Sequence, residues 1–295
     1  QYMKKGFGAR ERKEHLLDYC GAFRAKGSDL PEQFMLEDSR IPDVRDQGAV
    51  NSCVGFAATG IMQIMNYLET GNRGRFSAGY FYGKFREGDE HEGMIVENAL
   101  DIWRKMGVCF EREFPYNEEV TKIIDMVNEK PELGKTAEPY KISGYEVYSS
   151  AAKKIKYAMI KQALFTHNIP VLATTDYFGG SHAVCVIGWD DEKEKFTILN
   201  SWGEDWGSCG IGTVPYQYIK RGYLILDAKN NSLMPFTDVT EDKWYYSAVK
   251  HVYNAGLMNG TSGTTFDPEK TMTRAEMAQV LVNLCKKLDG QEGDS

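Results

Sequence analysis

Residues 47–58, Gln-Gly-Ala-Val-Asn-Ser-Cys-Val-Gly-Phe-Ala-Ala, decide how the rest of this sequence is interpreted. A lone cysteine, Cys53, stands where glycine and small polar residues give way to an apolar run that continues to Leu68. Apolar residues three and four positions apart predict a helix that begins at about Cys53. The helix dipole would favour a thiolate there, and the side-chain amide of Gln47 could reach an oxyanion beside the sulfur. On its own, a cysteine in such a run is more often a buried core residue.

Two later stretches make a functional cysteine the better interpretation. Residues 179–189, Gly-Gly-Ser-His-Ala-Val-Cys-Val-Ile-Gly-Trp, predict a buried strand that begins at His182. Residues 196–203, Phe-Thr-Ile-Leu-Asn-Ser-Trp-Gly, predict a second strand that ends at Asn200. The acidic, lysine-rich segment between them predicts a hairpin loop. If the two strands pair, the imidazole and the carboxamide lie close together at one end of the hairpin.

The three stretches together resemble the papain family of cysteine peptidases. In that family a histidine and an asparagine follow the cysteine by about 130–150 residues. Here His182 and Asn200 follow Cys53 by 129 and 147 positions. The resemblance covers about residues 30–227 and implies an α+β, two-lobed papain-like fold. A helical lobe would contribute the cysteine, and a β lobe would contribute the histidine and the asparagine.

The resemblance and the residue types together predict a Cys-His-Asn triad. A free thiol has a pKa of about 8.5, so Cys53 needs a base beside it, and His182 would take its proton. Asn200 would accept a hydrogen bond from the other imidazole nitrogen, and Trp202 would shield that bond from water. The backbone N–H of Cys53 and the side chain of Gln47 would hold the oxyanion.

The substrate groove is expected to include Gly93, Met94, Ile95, Ser181 and Ala183. In relatives, glycine backbone at the position of Gly93 pairs with an extended peptide, as in strand addition. Met94, Ile95 and Ala183 would form the pocket for the second residue before the scissile bond. Because these walls are apolar, with no charge to neutralise an incoming Arg or Glu, we expect Leu, Val, Phe or Tyr at that substrate position.

Three positions depart from the family pattern. Glu92 stands where relatives have the first glycine of a pair, which predicts a narrower or more acidic groove. Val50 replaces a cysteine that forms a disulfide in many relatives, and Val54 replaces the tryptophan that usually follows the nucleophile. We expect catalysis to survive with Val54, because it keeps an apolar side chain in the helix.

Residues 236–284 resemble one S-layer homology motif. Phe-Thr-Asp-Val at 236–239 and Thr-Arg-Ala-Glu at 273–276 carry the match, and two amphipathic helices flank a glycine-rich loop. In that family, three motifs usually cooperate to hold cell-wall polymer, so a single copy could trimerise or bind weakly. The alternative is a helical cap packed on the peptidase. The residues expected to serve the module are Trp244, Arg274 and Glu276.

The expected domain organisation has five parts. They are an N-terminal extension or propeptide remnant (residues 1–29), a peptidase domain (30–228), a polar linker (229–235), a single S-layer homology motif (236–285) and a polar tail (286–295). Whether residues 1–29 pack on the domain, remain from a propeptide or form a disordered leader stays open.

Composition narrows the functional classes. The net charge of −7 gives nucleic-acid binding no electrostatic support, and no run of 18 apolar residues could span a membrane. We expect no metal ion or other cofactor. Cys185 and Cys285 are expected core residues, whereas Cys20, Cys109 and Cys209 have no evident disulfide partners.

These observations predict a cysteine endopeptidase that acts on protein or peptide substrates. The S-layer homology motif adds cell-wall polymer as a partner and predicts an extracellular or cell-surface location in a Gram-positive-type bacterium. No signal peptide is recognised in the sequence. One alternative is a peptidoglycan-directed Cys-His hydrolase, which the wall module favours and the motifs do not. The other is a catalytically silent papain-like binding protein, which predicts damaged triad positions.

Overall fold

The chain divides into two compact units, Gln1–Asn230 and Asn231–Ser295. The computed structural model describes residues 6–10, 30–86, 93–149, 153–226, 236–240, 243–254, 257–262 and 265–289. Within this described part of the chain, no helix has both the length and the apolar character needed to cross a membrane.

The helical lobe of the first unit is organised around one buried helix. Its helices are α1 (Cys53–Thr70), α2 (Ala78–Phe85), α3 (Val96–Met106), α4 (Val120–Glu129) and α5 (Leu133–Ala137). Helix α1 begins at Cys53, as predicted, and its first fourteen residues, Cys53 to Asn66, are all buried. A helix that is mostly apolar and buried on all sides belongs in the interior of a lobe, and its buried polar side chains Thr59, Gln63 and Asn66 are hydrogen-bonded. Helix α1 ends at Thr70, and Gly71, with a φ of 72°, caps it in the left-handed conformation.

The β lobe is a seven-stranded antiparallel sheet. The strands of the first unit are β1 (Ala9–Arg10), β2 (Gln33–Met35), β3 (Met94–Ile95), β4 (Gly144–Tyr148), β5 (Val171–Thr175), β6 (His182–Asp190), β7 (Lys195–Leu199), β8 (Ile211–Pro215) and β9 (Ile219–Leu226). The sheet has the order β4-β9-β5-β6-β7-β8, and β2 pairs with β6 outside this path. Helix α6 (Lys153–His167) precedes β5 and packs against β9. The helical half followed by a β half confirms the predicted α+β architecture.

The two lobes meet where α1 lies against β6. The thiol of Cys185 on β6 lies 3.5 Å from the carbonyl oxygen of Ala57 on α1. Cys185 is therefore a core residue, as predicted, and Cys109 is buried as well. In the described part of the chain Cys53, Cys109, Cys185 and Cys209 are free thiols. The prediction for Cys20 lies outside the described residues, as does the side chain of Cys285.

Strands β1 and β3 form a separate parallel pair, in which Ala9 lies opposite Met94 and Arg10 lies opposite Ile95. This pair brings a short N-terminal segment to the start of α3, where the backbone of Ala9 also approaches the thiol of Cys53 at the start of α1. The helical stripe predicted within residues 11–23 and the acidic residues 87–92 lie outside the described residues.

The second unit has a small core of its own. Phe236, Val239 and Val249 are buried at its centre, and Phe266 packs against them. The carboxylate of Asp238 accepts hydrogen bonds from the backbone N–H groups of Phe266 and Asp267, at 2.9 and 2.7 Å. The start of the motif thus supplies two core side chains, Phe236 and Val239, and Asp238, whose carboxylate holds the backbone at residues 266–267.

Two helices, α7 (Tyr246–Asn254) and α8 (Arg274–Asp289), confirm the predicted helical pair of the second unit. The backbone N–H of Thr273 donates to the Glu276 carboxylate at 2.7 Å. The backbone N–H of Glu276 donates in return to the Thr273 hydroxyl at 3.2 Å. This reciprocal pair is a capping box, which satisfies two N–H groups at the start of α8.

Candidate active site

Three elements deliver the predicted triad residues to one place. Cys53 is the first residue of α1, His182 is the first residue of β6, and Asn200 directly follows β7. Strands β6 and β7 pair as a hairpin, with Cys185 opposite Leu199. His182 Nε2 lies 2.7 Å from Asn200 Oδ1, which also accepts from the backbone N–H of Ser201 at 2.8 Å. The hairpin thus brings the imidazole and the carboxamide together at its open end.

Aromatic rings surround the imidazole of His182. Trp202 stacks on it, with the ring centroids 4.7 Å apart and the planes inclined by 28°. Phe7 and Phe178 approach it edge-on at 5.8 and 5.9 Å. Burial lowers the pKa of His182 to about 4, although the hydrogen bond to Asn200 opposes this shift. Nδ1 of His182 is buried, with no hydrogen-bond partner in the described part of the chain.

The thiol of Cys53 is completely buried. Burial raises the pKa of Cys53 to about 11, whereas backbone N–H groups, including those of Ala183 and Ala9, oppose the increase. At neutral pH both the thiol of Cys53 and the imidazole of His182 are therefore in their neutral forms. A thiolate–imidazolium pair needs water or another polar group to stabilise its charges, and this closed site excludes water.

The N-terminal segment Gly6–Arg10 lies across the cysteine. The backbone N–H groups of Gly8 and Ala9 approach the carbonyl oxygen of Ser181 at 3.1 and 3.3 Å. On the opposite wall, the N–H of Met94 donates to the carbonyl of Gly8 at 2.6 Å. The segment is therefore held as an added strand between the two lobes, in the groove where the sequence predicted an extended peptide.

The upstream part of this segment reaches the predicted oxyanion donor. Gln47 Nε2 donates to the carbonyl of Gly6 at 3.1 Å and to the carbonyl of Val50 at 2.7 Å. Gln47 Oε1 accepts from the hydroxyl of Ser201 at 2.6 Å, which fixes the orientation of the amide. The backbone N–H of Phe7 donates to Asn51 Oδ1 at 3.0 Å.

Glycine is required at two positions of the segment because the groove is narrow. A Cβ atom on Gly6 would overlap the carbonyl oxygen of Val50, and one on Gly8 would overlap that of Asn51. Gly93 is constrained in the same way, because a side chain there would overlap the backbone of Gly8. A peptide chain and the groove walls are thus in direct backbone contact.

The structure brings most of the predicted groove residues together. Gly93, Met94, Ser181 and Ala183 all lie at the segment or at the thiol, and Ile95 is opposite Arg10. Glu92 lies outside the described residues. In the second unit, Trp244 is 90% exposed and Arg274 is exposed, whereas Glu276 is engaged in the capping box.

Several residues at this site were missed from the sequence. Phe7 and Phe178 carried no pattern that would place them on an imidazole, since neither lies in a periodic run. Ser201 could have been identified as a site residue from the sequence, because it directly follows Asn200. A buried ion pair between Arg221 and Glu97 was also missed. Glu97 interrupts an apolar run, but its partner lies 124 positions away.

Comparison with known proteins supports the papain-like fold predicted from the sequence. The model of the papain family of cysteine proteases matches residues 30–223, and that of the S-layer homology domain matches residues 235–278. The chain is 26% identical over 234 residues to the probable cysteine protease RDL3 of Arabidopsis thaliana, covering 71% of this chain and 60% of the relative. It is 24% identical over 212 residues to cysteine proteinase 1 of Zea mays, covering 61% and 55%. The chain thus spans less than two thirds of the length of these curated relatives.

Two solved structures have the same fold. Xylellain, a cysteine protease from Xylella fastidiosa, aligns with a TM-score of 0.62 at 22% identity, covering 77% of this chain and 98% of xylellain. The Amb a 11 cysteine protease, a ragweed pollen allergen solved in its proform, aligns with a TM-score of 0.52 at 18% identity, covering 69% and 67%.

Proposed function

Because the chain belongs to the papain family of cysteine proteases, we propose that it hydrolyses peptide bonds with Cys53, His182 and Asn200 as a triad. The observation that carries this proposal is the contact of 2.7 Å between His182 Nε2 and Asn200 Oδ1 beside the start of α1. Asn200 uses its oxygen to hold the ring, which leaves Nδ1 as the nitrogen available for proton transfer.

The reaction follows from this geometry. In an open, hydrated groove His182 takes the thiol proton of Cys53, and the dipole of α1 favours the resulting thiolate. The sulfur attacks the carbonyl carbon of the scissile bond, and the carbonyl electron pair moves to the oxygen. His182 then gives its proton to the leaving amine as the C–N bond breaks. Water, deprotonated by the same ring, attacks the thioester and releases the acid and the thiol.

The oxyanion of each tetrahedral intermediate would be held by Gln47 Nε2 and the backbone N–H of Cys53. Ser201 supports this role, since its hydrogen bond to Gln47 Oε1 aims the amide nitrogen into the groove. A hydrogen-bond donor that is held in place in this way stabilises the oxyanion more than one that is free to rotate.

Substrate selection would depend on the pocket beside Met94, Ile95 and Ala183. All three side chains are apolar, and Met94 and Ala183 are buried. We propose that this pocket takes the second residue before the scissile bond and prefers an apolar side chain there. Cleavage within chains, rather than from an end, is the expected mode.

The N-terminal segment would keep the enzyme latent. A substrate would place its upstream residues beside Met94 and its scissile carbonyl beside Gln47. The segment runs the other way, with Gly6 at Gln47 and Ala9 opposite Met94. It therefore fills the groove with reversed chain direction, which keeps it from being cut while the neutral thiol stays covered. We propose on these grounds that the segment Gly6–Arg10 makes the chain a zymogen.

The S-layer homology domain would attach the enzyme to cell-wall polymer at the cell surface after export. The exposed indole of Trp244 and the exposed Arg274 are the groups suited to contact a polymer. Glu276 would act indirectly, because its carboxylate caps α8.

One experiment separates this proposal from its alternatives. The full chain carrying Gly8→Val, in which the added side chain would overlap the backbone of Asn51 and so open the groove, is treated with a peptidyl epoxide that alkylates active cysteines, and peptide and peptidoglycan hydrolysis are both measured. We expect labelling at Cys53 and turnover of peptides, both lost in Cys53→Ala. Turnover of peptidoglycan alone would indicate the wall hydrolase, and a chain that remains inert after the groove is opened would indicate a silent binding protein.

A further inference from the structure

Tyr116 lies in the loop between α3 and α4, and its hydroxyl reaches the turn that precedes the cysteine. The hydroxyl oxygen lies 2.8 Å from the backbone carbonyl oxygen of Gln47 and 2.8 Å from the hydroxyl oxygen of Ser52. These residues are 69 and 64 positions away along the chain. One side chain thus contacts both the residue that carries the proposed side-chain oxyanion donor and the residue directly before Cys53.

The number of hydroxyl protons decides the direction of these two hydrogen bonds. A backbone carbonyl can only accept, so the single hydroxyl proton of Tyr116 is donated to Gln47. The hydroxyl of Ser52 must therefore donate to the oxygen of Tyr116. Ser52 is completely buried, so its hydroxyl would need another partner nearby if Tyr116 could no longer accept.

The first turn of α1 offers that other partner. Ser52 is the N-cap residue of α1, and a serine at this position usually accepts a hydrogen bond from the second or third backbone N–H of the helix, here that of Val54 or Gly55. Within the described part of the chain, the side chain of Ser52 makes no such cap. The backbone N–H groups of Cys53 and Val54 instead approach the sulfur of Cys53.

Packing holds the ring of Tyr116 in this position. The ring meets that of Phe56, in the first turn of α1, edge-on with the centroids 4.7 Å apart. The loop is also close to α2, because a Cβ atom on Gly79 would lie 3.2 Å from the ring of Phe114 and 3.5 Å from the Cα atom of Tyr116. The hydroxyl is thus carried by a ring and a backbone that are both packed against helices of the same lobe.

We infer that Tyr116 is a positioning residue for both proposed oxyanion donors. It anchors the backbone of Gln47, and it holds the hydroxyl of Ser52 away from the N–H groups at the start of α1. Those N–H groups thereby remain available to the thiolate of Cys53 and to the oxyanion. This inference rests on the proposed function, and Tyr116 acts in it only through its two neighbours, without transferring a proton.

Loss of the Tyr116 hydroxyl should have two separable effects. Gln47 would lose its backbone anchor, so its amide would be less well oriented towards the oxyanion and kcat would fall. The hydroxyl of Ser52 would be free to accept from the N–H of Val54, which would remove one donor from the sulfur and move thiolate formation to higher pH. Removal of the Ser52 hydroxyl as well should reverse only the second effect.

The test uses the full chain carrying Gly8→Val and compares Tyr116→Phe, Ser52→Ala and the double variant. With a fluorogenic peptide, Tyr116→Phe should lower kcat about tenfold and leave KM within about twofold. The pH at which iodoacetamide alkylates Cys53 should rise by about half a unit or more.

The double variant provides the readout that a purely structural role would not give. Because alanine cannot cap the helix, Ser52→Ala alone and the double variant should both alkylate with the pH dependence of the parent. The kcat of the double variant should nevertheless stay about tenfold below that of Ser52→Ala.

Tyr216→Phe is a matched control. The hydroxyl of Tyr216 donates to Asp191 Oδ1 at 2.8 Å, at the far end of the β6–β7 hairpin from His182. Its loss should lower the melting temperature and leave kcat and the pH dependence of alkylation at parent values. If Tyr116→Phe behaves like this control in an active parent, the inference is overturned and the proposed function stands.

The double variant also decides the matter if Tyr116→Phe does not fold. It removes both hydroxyls, so no buried serine hydroxyl has to find a new partner. A kcat equal to that of Ser52→Ala in this folded double variant would contradict the inference. If the Gly8→Val parent cleaves no peptide at all, the proposed function itself fails, and this inference fails with it.

Discussion

Gln47 donates a hydrogen bond of 3.1 Å from its side-chain amide to the carbonyl oxygen of Gly6. The residue proposed to hold the oxyanion is thus already bound to a carbonyl of its own chain. The segment resembles a substrate at this one contact, but its carbonyl is presented with the chain direction reversed. Under the proposed mechanism a substrate could use Gln47 only after Gly6 has left, so this contact would connect catalysis with latency.

The first prediction concerns the glycine at the narrowest part of the segment. Gly8→Val should expel the segment, because the added side chain would overlap the backbone of Asn51. We expect an increase of about tenfold or more in the initial rate of hydrolysis of a fluorogenic peptide by the full chain. Gly144→Val is the matched control, since a Cβ atom at Gly144 meets nothing within 4 Å. Equal rates in the two variants would show that the segment does not limit access.

The second prediction concerns the pH dependence of alkylation at Cys53. Burial raises the thiol pKa to about 11, so the neutral form is favoured below that pH and the fraction of reactive thiolate rises about tenfold with each pH unit up to that value. In the wild-type chain, alkylation by iodoacetamide should therefore be slow at pH 7 and increase steeply towards pH 11. In Gly8→Val, hydration and His182 should move the onset to neutral or acidic pH. Exposed Cys209 provides the internal reference, read by peptide mass mapping.

The third prediction ranks the members of the triad. In the Gly8→Val background, Cys53→Ala should abolish turnover, and His182→Ala should reduce kcat by several orders of magnitude. Asn200→Ala should reduce it less, because the asparagine orients the ring and transfers no proton. Gln47→Ala should lower kcat about 100-fold, as expected for loss of one oxyanion donor. Equal losses for Asn200→Ala and His182→Ala, with an unchanged melting temperature, would contradict the assigned roles.

The fourth prediction concerns the second unit. Deletion of residues 236–285 from the Gly8→Val chain should leave kcat/KM for a small peptide within about twofold, because all the proposed catalytic residues belong to the first unit. Sedimentation with purified cell-wall polymer should show binding by the full chain and none by the deletion variant. Loss of peptide hydrolysis on deletion would make the module part of the catalytic fold.

Wall binding has its own matched pair of variants. Trp244→Ala removes the most exposed large apolar side chain of the described residues and should weaken sedimentation with the polymer. Glu276→Gln should lower the melting temperature of the second unit, because Glu276 caps α8. Glu276→Gln should weaken binding to the polymer only at temperatures at which it unfolds the second unit.

Much of the fold could be predicted because its signals are local. The apolar run after Cys53 predicted α1, and the strand patterns at His182 and Phe196 predicted the β6–β7 hairpin, both now confirmed. Periodicity reports how one element is buried, and a short loop forces two neighbouring strands to pair. The motif at residues 273–276 is likewise a local signal, since a capping box needs only four residues.

The contacts that close the groove could not be predicted in this way. Gly6–Arg10 has no apolar period, and its register on Met94 depends on steric fit between backbones that are more than eighty positions apart. The pair of Glu97 and Arg221 joins two lobes across 124 positions. Charge alone does not show which of many carboxylates an arginine will meet.

The sequence by itself determined the family and the order of the main elements, and it identified the candidate reactive side chains. Tertiary structure alone decided their state: Cys53 and His182 are neutral because a fully packed groove removes the water that would stabilise their charged forms. Residue type establishes what chemistry a side chain can perform. Desolvation, which depends on everything packed around it, establishes whether that chemistry is available.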